Sequence, residues 1–180
     1  MPTAYLGLGS NLGDRHAHLQ AAVAGLHERD GLRVVAASPV YETEAHTLDP
    51  DEEQPPFYNA VLAVRTTLPP RALLRVAQEQ EAAAGRTRDR RWAPRPLDVD
   101  VLTYGNAVRT TDALTLPHPR LAERRFVLRP WADVAPNLRI PAPFNATVDV
   151  LLACCTDAAP VRRVSATLSV PPSSAANASS

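Results

Sequence analysis

Between Asp14 and Gly31 the apolar positions Leu19, Ala22, Val23 and Leu26 recur at helical spacing. That pattern predicts an amphipathic helix, entered at a capping aspartate and stopped by glycine. On either side the pattern changes to that of strands. Residues 4–9, "AYLGLG", read as a strand running into a Gly-Ser-Asn turn, and residues 32–43 as a long strand of β-formers with a kink at Pro39. Residues 44–56, "EAHTLDPDEEQPP", are acidic, proline-bearing and without period, hence a loop. A strand over 57–67 ends at Pro69 and Pro70. A helix over 71–84 turns Leu73, Leu74 and Ala77 inward, and Gly85 follows it. An arginine-rich loop, 86–96, leads into a strand over 97–104, and Gly105-Asn106 reads as a hairpin turn into 107–111.

Strand, helix, strand, strand, helix, strand is the order of the ferredoxin-like split βαβ arrangement. The predicted fold class is therefore α+β: an antiparallel sheet (βαββαβ) with both helices on one face. Additional C-terminal elements, with helical candidates near 119–135 and 147–155, must cover another part of the sheet. The sequence closes on "SVPPSSAANASS", which is low in complexity. One domain over 1–160 and a disordered tail over 161–180 are expected.

Composition narrows the chemistry more than the fold. Nineteen basic and nineteen acidic residues balance to zero net charge, so nothing suggests bulk attraction to nucleic acid or to an anionic membrane. No apolar stretch approaches the ~20 residues of a membrane span, and the N-terminus lacks the basic region of a signal peptide. Cys154 and Cys155 are neighbours; they read as buried or partly buried free thiols in a reducing cytoplasm. Every basic residue is arginine. Without a lysine there is no Walker A loop, no kinase strand lysine and no Schiff base.

Arginine instead gathers beside two aspartates. In "RWAPRPLDVDVLTYG" (91–105) the alternation puts Leu97, Val99 and Val101 on one face of a strand and Asp98 and Asp100 on the other, about 7 Å apart by strand rise. Two like charges on one face have two readings. One is a solvated strand face. The other is a cation site, because carboxylates at this spacing can bridge one or two Mg²⁺ ions. Arg86, Arg88, Arg90, Arg91 and Arg95 precede or flank the pair, with Trp92 among them. Guanidinium groups suit phosphate oxygens. Acids, arginines and an aromatic together point to a nucleoside triphosphate site.

The same stretch, with Arg91, Ala93, Pro94, Arg95, Asp98, Val99, Asp100, Val101 and Leu102, resembles the signature of the 6-hydroxymethyl-7,8-dihydropterin pyrophosphokinase family. "AYLGLGSNLGDR", "SPVYET", "PFYNAV" and "LTLPHPRLAERRFVLRPWADVAPN" extend the resemblance over about residues 3–155. It implies a ferredoxin-like fold and transfer of diphosphate from ATP to the hydroxymethyl of a reduced pterin, with release of AMP, in folate biosynthesis. It also implies Mg²⁺ (two ions) on Asp98 and Asp100, phosphate contacts from Arg86 and Arg95 on a closing loop, and a pterin pocket of Thr43, Phe57, Asn59, Trp92 and Phe126. Gln78, Glu81, Arg88, His118 and Arg124 would face the nucleotide. The partners implied are small molecules, ATP and the pterin, for a cytoplasmic monomer without nucleic acid or membrane. By themselves Phe57 and Phe126 could be plain core, His118 an exposed turn residue and Glu81 an ordinary helix residue. The glycines of "GLGSNLGD" read as turn chemistry.

Two other classes fit parts of the pattern. An RNA-binding ferredoxin-like module would use the arginine loop, but neutral charge and the absence of the aromatic-basic strand motif count against it. A metal-dependent phosphohydrolase would use the same aspartates, but it has no use for the set Thr43, Phe57, Asn59 and Phe126.

Overall fold

The computed structural model describes residues 1–45, 53–85 and 94–172. In chain order its elements are β1 (Thr3–Ser10), α1 (Arg15–His27), β2 (Leu32–Ala37), β3 (Tyr41–Thr43), β4 (Phe57–Thr66), α2 (Pro70–Ala83) and β5 (Asp98–Tyr104). There follow β6 (Arg109–Thr110), β7 (Thr115–Leu116), a 3₁₀ turn (Leu121–Glu123), α3 (Arg125–Val134), β8 (Arg139–Ile140), β9 (Ala146–Thr147), α4 (Val148–Cys154) and β10 (Val161–Arg163). The main sheet runs β10-β3-β4-β1-β5, and β2 pairs with β4 on the same side as β3; every pairing is antiparallel. This is the expected ferredoxin-like α+β order.

α1 begins as its sequence predicts. The Asp14 carboxylate accepts the Ala17 N–H at 3.0 Å, and Leu19, Ala22, Val23 and Leu26 are its buried residues. α2 starts at Pro70, where a missing N–H costs nothing. It buries Leu73, Val76, Ala77 and, unexpectedly, Glu81, while Leu74 is only half-buried. Both helices pack on the face formed by Ala4, Leu6 and Leu8 of β1, Leu62 and Val64 of β4, and Val99 and Val101 of β5. The opposite face carries a second core, in which Val61 and Leu102 meet Leu128 and Trp131 of α3 and Val148 and Leu151 of α4. Tyr5 packs on Trp131 there with ring centres 5.4 Å apart. The C-terminal elements thus cover one half of the second face and leave the other half open.

Four expectations change. Residues 32–43 are two strands, interrupted at Ser38–Pro39–Val40, that lie on one edge of β4. Gly105-Asn106 does turn the chain, but β6 pairs with β7 and not with β5, so the turn closes no hairpin with 107–111. The tail expected from residue 161 is packed chain over 161–172. β10 pairs with β3, Val164, Leu168 and Val170 pack against the main core, and Gln20 exchanges two hydrogen bonds with the Ser169 backbone at 2.8 and 2.9 Å. Its few apolar residues follow no helical or strand period, so composition alone reads as disorder. Finally, Cys154 is exposed and only Cys155 half-buried, at the end of the short α4. Among the described residues no helix is long and apolar enough to cross a membrane.

Candidate active-site cleft

The open half of the second face is a cleft of about 240 Å³. Its floor comes from alternate residues of the sheet. β1 contributes Gly7 and Gly9, β4 contributes Phe57 and Asn59, β3 contributes Thr43 and β5 contributes Asp98 and Asp100. Register brings them together: Gly9 lies between Asn59 and Asp98, and Gly7 between Val61 and Asp100. Arg95, Arg120, Arg124, Phe126 and Glu44 form further walls.

One end of the cleft is charged. Arg95 Nη1 donates to Asp98 Oδ2, and Arg124 Nη1 donates to Asp100 Oδ2, each at 3.1 Å. A guanidinium beside each carboxylate offsets the repulsion that makes the Asp-Val-Asp pattern look costly. Arg124 occupies the junction between the 3₁₀ turn and α3, where its carbonyl accepts the N–H groups of Val127 and Leu128, so its backbone is fixed. His118 borders this end. Its N–H donates to the carbonyl of Leu102 at 2.8 Å, and its Nδ1 accepts the Arg120 N–H at 3.2 Å. Burial first, then the charges of Arg124 and Arg120, push the imidazole pKa down to about 4 against an opposing pull from Asp98. At neutral pH this ring is uncharged.

The other end is polar-edged and aromatic. Thr43 and Asn59 are 6 % and 5 % exposed, and the Asn59 amide donates to Thr43 Oγ1 at 2.6 Å. Phe57 and Phe126 stand at the walls, and the Arg124 guanidinium lies 5.8 Å from the Phe126 ring centre. Buried amides must find partners; among the described residues the Asn59 side chain has Thr43, and its Oδ1 lies beside Gly9 on the cleft floor.

Asp98 and Asp100 are the groups that could hold a divalent cation. Among the described residues no cluster of three or more His, Cys, Asp or Glu could do so. Two carboxylates suit Mg²⁺, a hard cation that is commonly held by one or two carboxylates and completes its shell with water and phosphate oxygens.

The cleft brings together Thr43, Phe57, Asn59, Arg95, Asp98, Asp100, Arg124 and Phe126, with His118 at its border. It does not bring in Gln78, which is exposed on α2, or Glu81. Glu81 is 6 % exposed, and its Oε1 accepts the N–H of Val99 at 2.9 Å. It therefore caps the outer edge of β5 from the helix side. Arg86, Arg88 and Trp92 lie outside the described residues.

Sequence reading overlooked three features. Gly7 and Gly9 lie in the strand expected over 4–9, but they floor the cleft there, which their reading as turn chemistry did not show. A Cβ on Gly9 would come within 3.2 Å of Asn59 Oδ1 and 3.5 Å of Phe57. Asn11, 1 % exposed, ties two loops to the turn after β1. Its Oδ1 accepts the Arg95 N–H at 2.8 Å, and its Nδ2 donates to the Pro55 carbonyl at 3.1 Å. Arg120 stands at the cleft wall, its Nε paired with Glu123 at 3.2 Å. A buried asparagine in a Gly-Ser-Asn turn was the one visible signal; the partners lie too far along the chain to be read.

Fold and cleft together define a ferredoxin-like α+β domain with carboxylates and arginines at one end of a sheet-floored cleft and a polar-edged aromatic pocket at the other. The chain belongs to the 7,8-dihydro-6-hydroxymethylpterin-pyrophosphokinase (HPPK) family, whose model matches residues 5–136. It is similar to the 2-amino-4-hydroxy-6-hydroxymethyldihydropteridine pyrophosphokinase of Methylorubrum extorquens, with 49% identity over 140 residues, 78% of this chain and 87% of the relative. The Bacillus subtilis protein of the same name is 42% identical over 131 residues, covering 73% of this chain and 77% of the relative. Among solved structures, a Plasmodium falciparum HPPK-DHPS with pteroate superposes with a TM-score of 0.64 at 15% identity, over 85% of this chain and 42% of that one. An HPPK-DHPS in complex with substrates gives 0.64 at 12% identity, with 85% and 43% covered. This chain thus spans less than half the length of those solved chains, and the likeness to them speaks for the fold.

Proposed function

We propose that this chain transfers diphosphate from ATP to the hydroxymethyl group of 6-hydroxymethyl-7,8-dihydropterin and releases AMP, a step of folate biosynthesis. The observation that carries the reading is the cleft with two unlike ends. Paired aspartates and arginines suit a polyphosphate, and Thr43, Asn59, Phe57 and Phe126 suit a flat heterocycle with a polar edge. A bond forms between the hydroxymethyl oxygen and the β-phosphorus as the hydroxyl O–H bond breaks and its proton is released to solvent. The bond from that phosphorus to the oxygen bridging to the α-phosphate breaks, and AMP carries that oxygen away.

Such a reaction asks the protein for positioning and for charge stabilisation. Asp98 and Asp100 would hold two Mg²⁺ ions, which supply compensation of the polyphosphate charge. Arg95 and Arg124 pair with these carboxylates at 3.1 Å; on binding they would exchange carboxylate for phosphate oxygens, so the site stays balanced in both states. His118, neutral at physiological pH, can donate or accept a hydrogen bond at the nucleotide without adding charge. The pterin would lie between Phe57 and Phe126 with its edge on Asn59 and Thr43, covered by Trp92. Arg86 and Arg88 would meet phosphates on the loop after α2. Gln78 and Glu81 are the weakest of the nucleotide assignments, since Glu81 is engaged with the Val99 backbone. The reading carries with it a cytoplasmic monomer whose partners are ATP and the reduced pterin, with no nucleic acid.

The test is direct. With reduced pterin and Mg-ATP the chain should produce AMP and the pterin diphosphate in equal amounts. ADP or free phosphate in place of AMP would overturn the reading in favour of a kinase or a phosphohydrolase.

A further inference from the structure

β3 and β4 form a hairpin whose last cross-strand pairs are Glu42–Tyr58 and Thr43–Phe57. The chain leaves the sheet after Thr43 and returns at Phe57. Successive strand residues face opposite ways. Thr43 and Phe57 face the cleft, and Glu42 and Tyr58 face back toward the start of α1. Closing a long loop costs entropy that opposes the pairs nearest to it. Among the cleft residues held in the sheet, fraying of this neck would displace Thr43 and Phe57 first.

Arg15, the first residue of α1, stands behind the neck. Its Nη1 donates to Glu42 Oε2 at 3.0 Å and to the Pro56 carbonyl at 2.8 Å. Its guanidinium lies 3.7 Å from the centre of the Tyr58 ring. One cation therefore touches the strand before the loop, the last residue of the loop and the strand after it. Arg162 of β10 pairs with the other oxygen of the same carboxylate. Hydrogen bonds from Arg162 and then Arg15 hold the Glu42 carboxyl below the usual range in spite of its burial.

We infer that Arg15 is a positioning residue for the pterin end of the cleft: it locks the neck of the β3–β4 hairpin from behind, so that Thr43 and Phe57 stand in place before substrate arrives. The inference rests on the pterin reading of that end. Arg15 acts on binding and not on the phosphoryl step, because Asp98 and Asp100 stand on β5, which β1 separates from the β3–β4 neck that Arg15 touches.

Full-length Arg15→Met removes the guanidinium and keeps a long stem. KM for the reduced pterin should rise about tenfold, while kcat and the KM for ATP stay within about twofold. Amide exchange at Tyr41–Thr43 and Phe57–Asn59 should accelerate while β1 is unchanged. Arg15→Lys should fall between, because a point charge cannot span three contacts; if the methionine variant fails to fold, the lysine variant carries the same comparison. An unchanged pterin KM would overturn the inference, and so would a uniform loss of kcat and thermal stability. If the parent chain forms no AMP, the proposed function has failed, and exchange at the neck still decides the clamp. Accelerated exchange supports the clamp, and unchanged exchange overturns it.

Discussion

β1 turns Ala4, Leu6 and Leu8 toward α1 and α2, and Tyr5, Gly7 and Gly9 toward the other side. β5 repeats the division, with Val99 and Val101 on the helix side and Asp98 and Asp100 on the cleft side. The first face is packed and closed. The second holds two like charges, two bare glycines and a buried amide. Neither charged end nor empty floor contributes to a core. They persist because the same strands are seated on their other face, where apolar burial supplies the stability. Changes on the two faces should therefore separate, with function lost on one and stability on the other.

Asp100→Ala should give the widest separation. Turnover should fall about a thousandfold if this carboxylate holds the cation against the polyphosphate. The melting temperature should hardly move, since Asp100 is partly exposed and its pair with Arg124 is a surface-type ion pair. AMP release and a thermal melt measure both. Wild-type turnover in the variant would remove Asp100 from the metal assignment.

Leu6→Ala, on the opposite face, should do the reverse. Leu6 is fully buried, and a truncation there costs about 3 kcal/mol by lost transfer energy and the cavity left behind. The urea midpoint should drop accordingly, while the KM values of the surviving folded fraction stay at the parent level. A shift in pterin or ATP KM would mean that the two faces are mechanically coupled.

The packed face is also the one that could be read. The alternation of Leu97, Val99 and Val101 and the spacing of α1 survive into the structure because half-buried strands and amphipathic helices print their period directly into the residue order. Asp98 and Asp100 were legible as the exceptions to that period. What stayed hidden depends on partners far away in the chain. Asn11 meets Arg95 and Pro55, Arg15 meets Glu42 and Pro56, and Gln20 meets Ser169, which turns an apparently disordered tail into a strap across α1. Glu81 shows the same limit from the other direction. By itself Glu81 reads as an ordinary helix residue, and only the register of α2 against β5 brings its carboxylate onto the Val99 N–H. The glycines of β1 fall within the expected strand, and only its pairing shows what they leave room for.

Gly9→Ala tests that room. The added methyl would stand 3.2 Å from Asn59 Oδ1, and Asn59 is held by its 2.6 Å bond to Thr43. The amide has little freedom to give way, so the expected result is about a tenfold rise in pterin KM, near 1.4 kcal/mol, with the ATP KM and stability near parent values. The experiment compares two methyl-sized changes on one strand. A methyl added on the open face should cost binding, and methyls removed from Leu6 should cost stability. If Gly9→Ala left pterin binding unchanged, the floor beside Asn59 would not be part of the pocket.

The smallest effect is expected at the border of the two regions, at His118. Its folded pKa of about 4 lies below the ordinary 6.5, because burial and the nearby Arg124 and Arg120 disfavour the imidazolium more than Asp98 favours it. Between those values the unfolded chain binds more protons than the folded one, so stability must rise with pH. The contribution is complete above about pH 6.5 and is lost as the pH falls toward 4. From pH 7 to 5.5 the ligand-free chain should lose about 1 kcal/mol from this group, and His118→Asn should remove that share of the slope. The asparagine oxygen can still accept the Arg120 N–H that Nδ1 accepts at 3.2 Å, so the local turn is preserved and only the titration is deleted. Urea midpoints of both chains at the two pH values decide the matter. Equal slopes would mean that His118 titrates as it does in the unfolded chain, with the charged end of the cleft exerting no net hold on it.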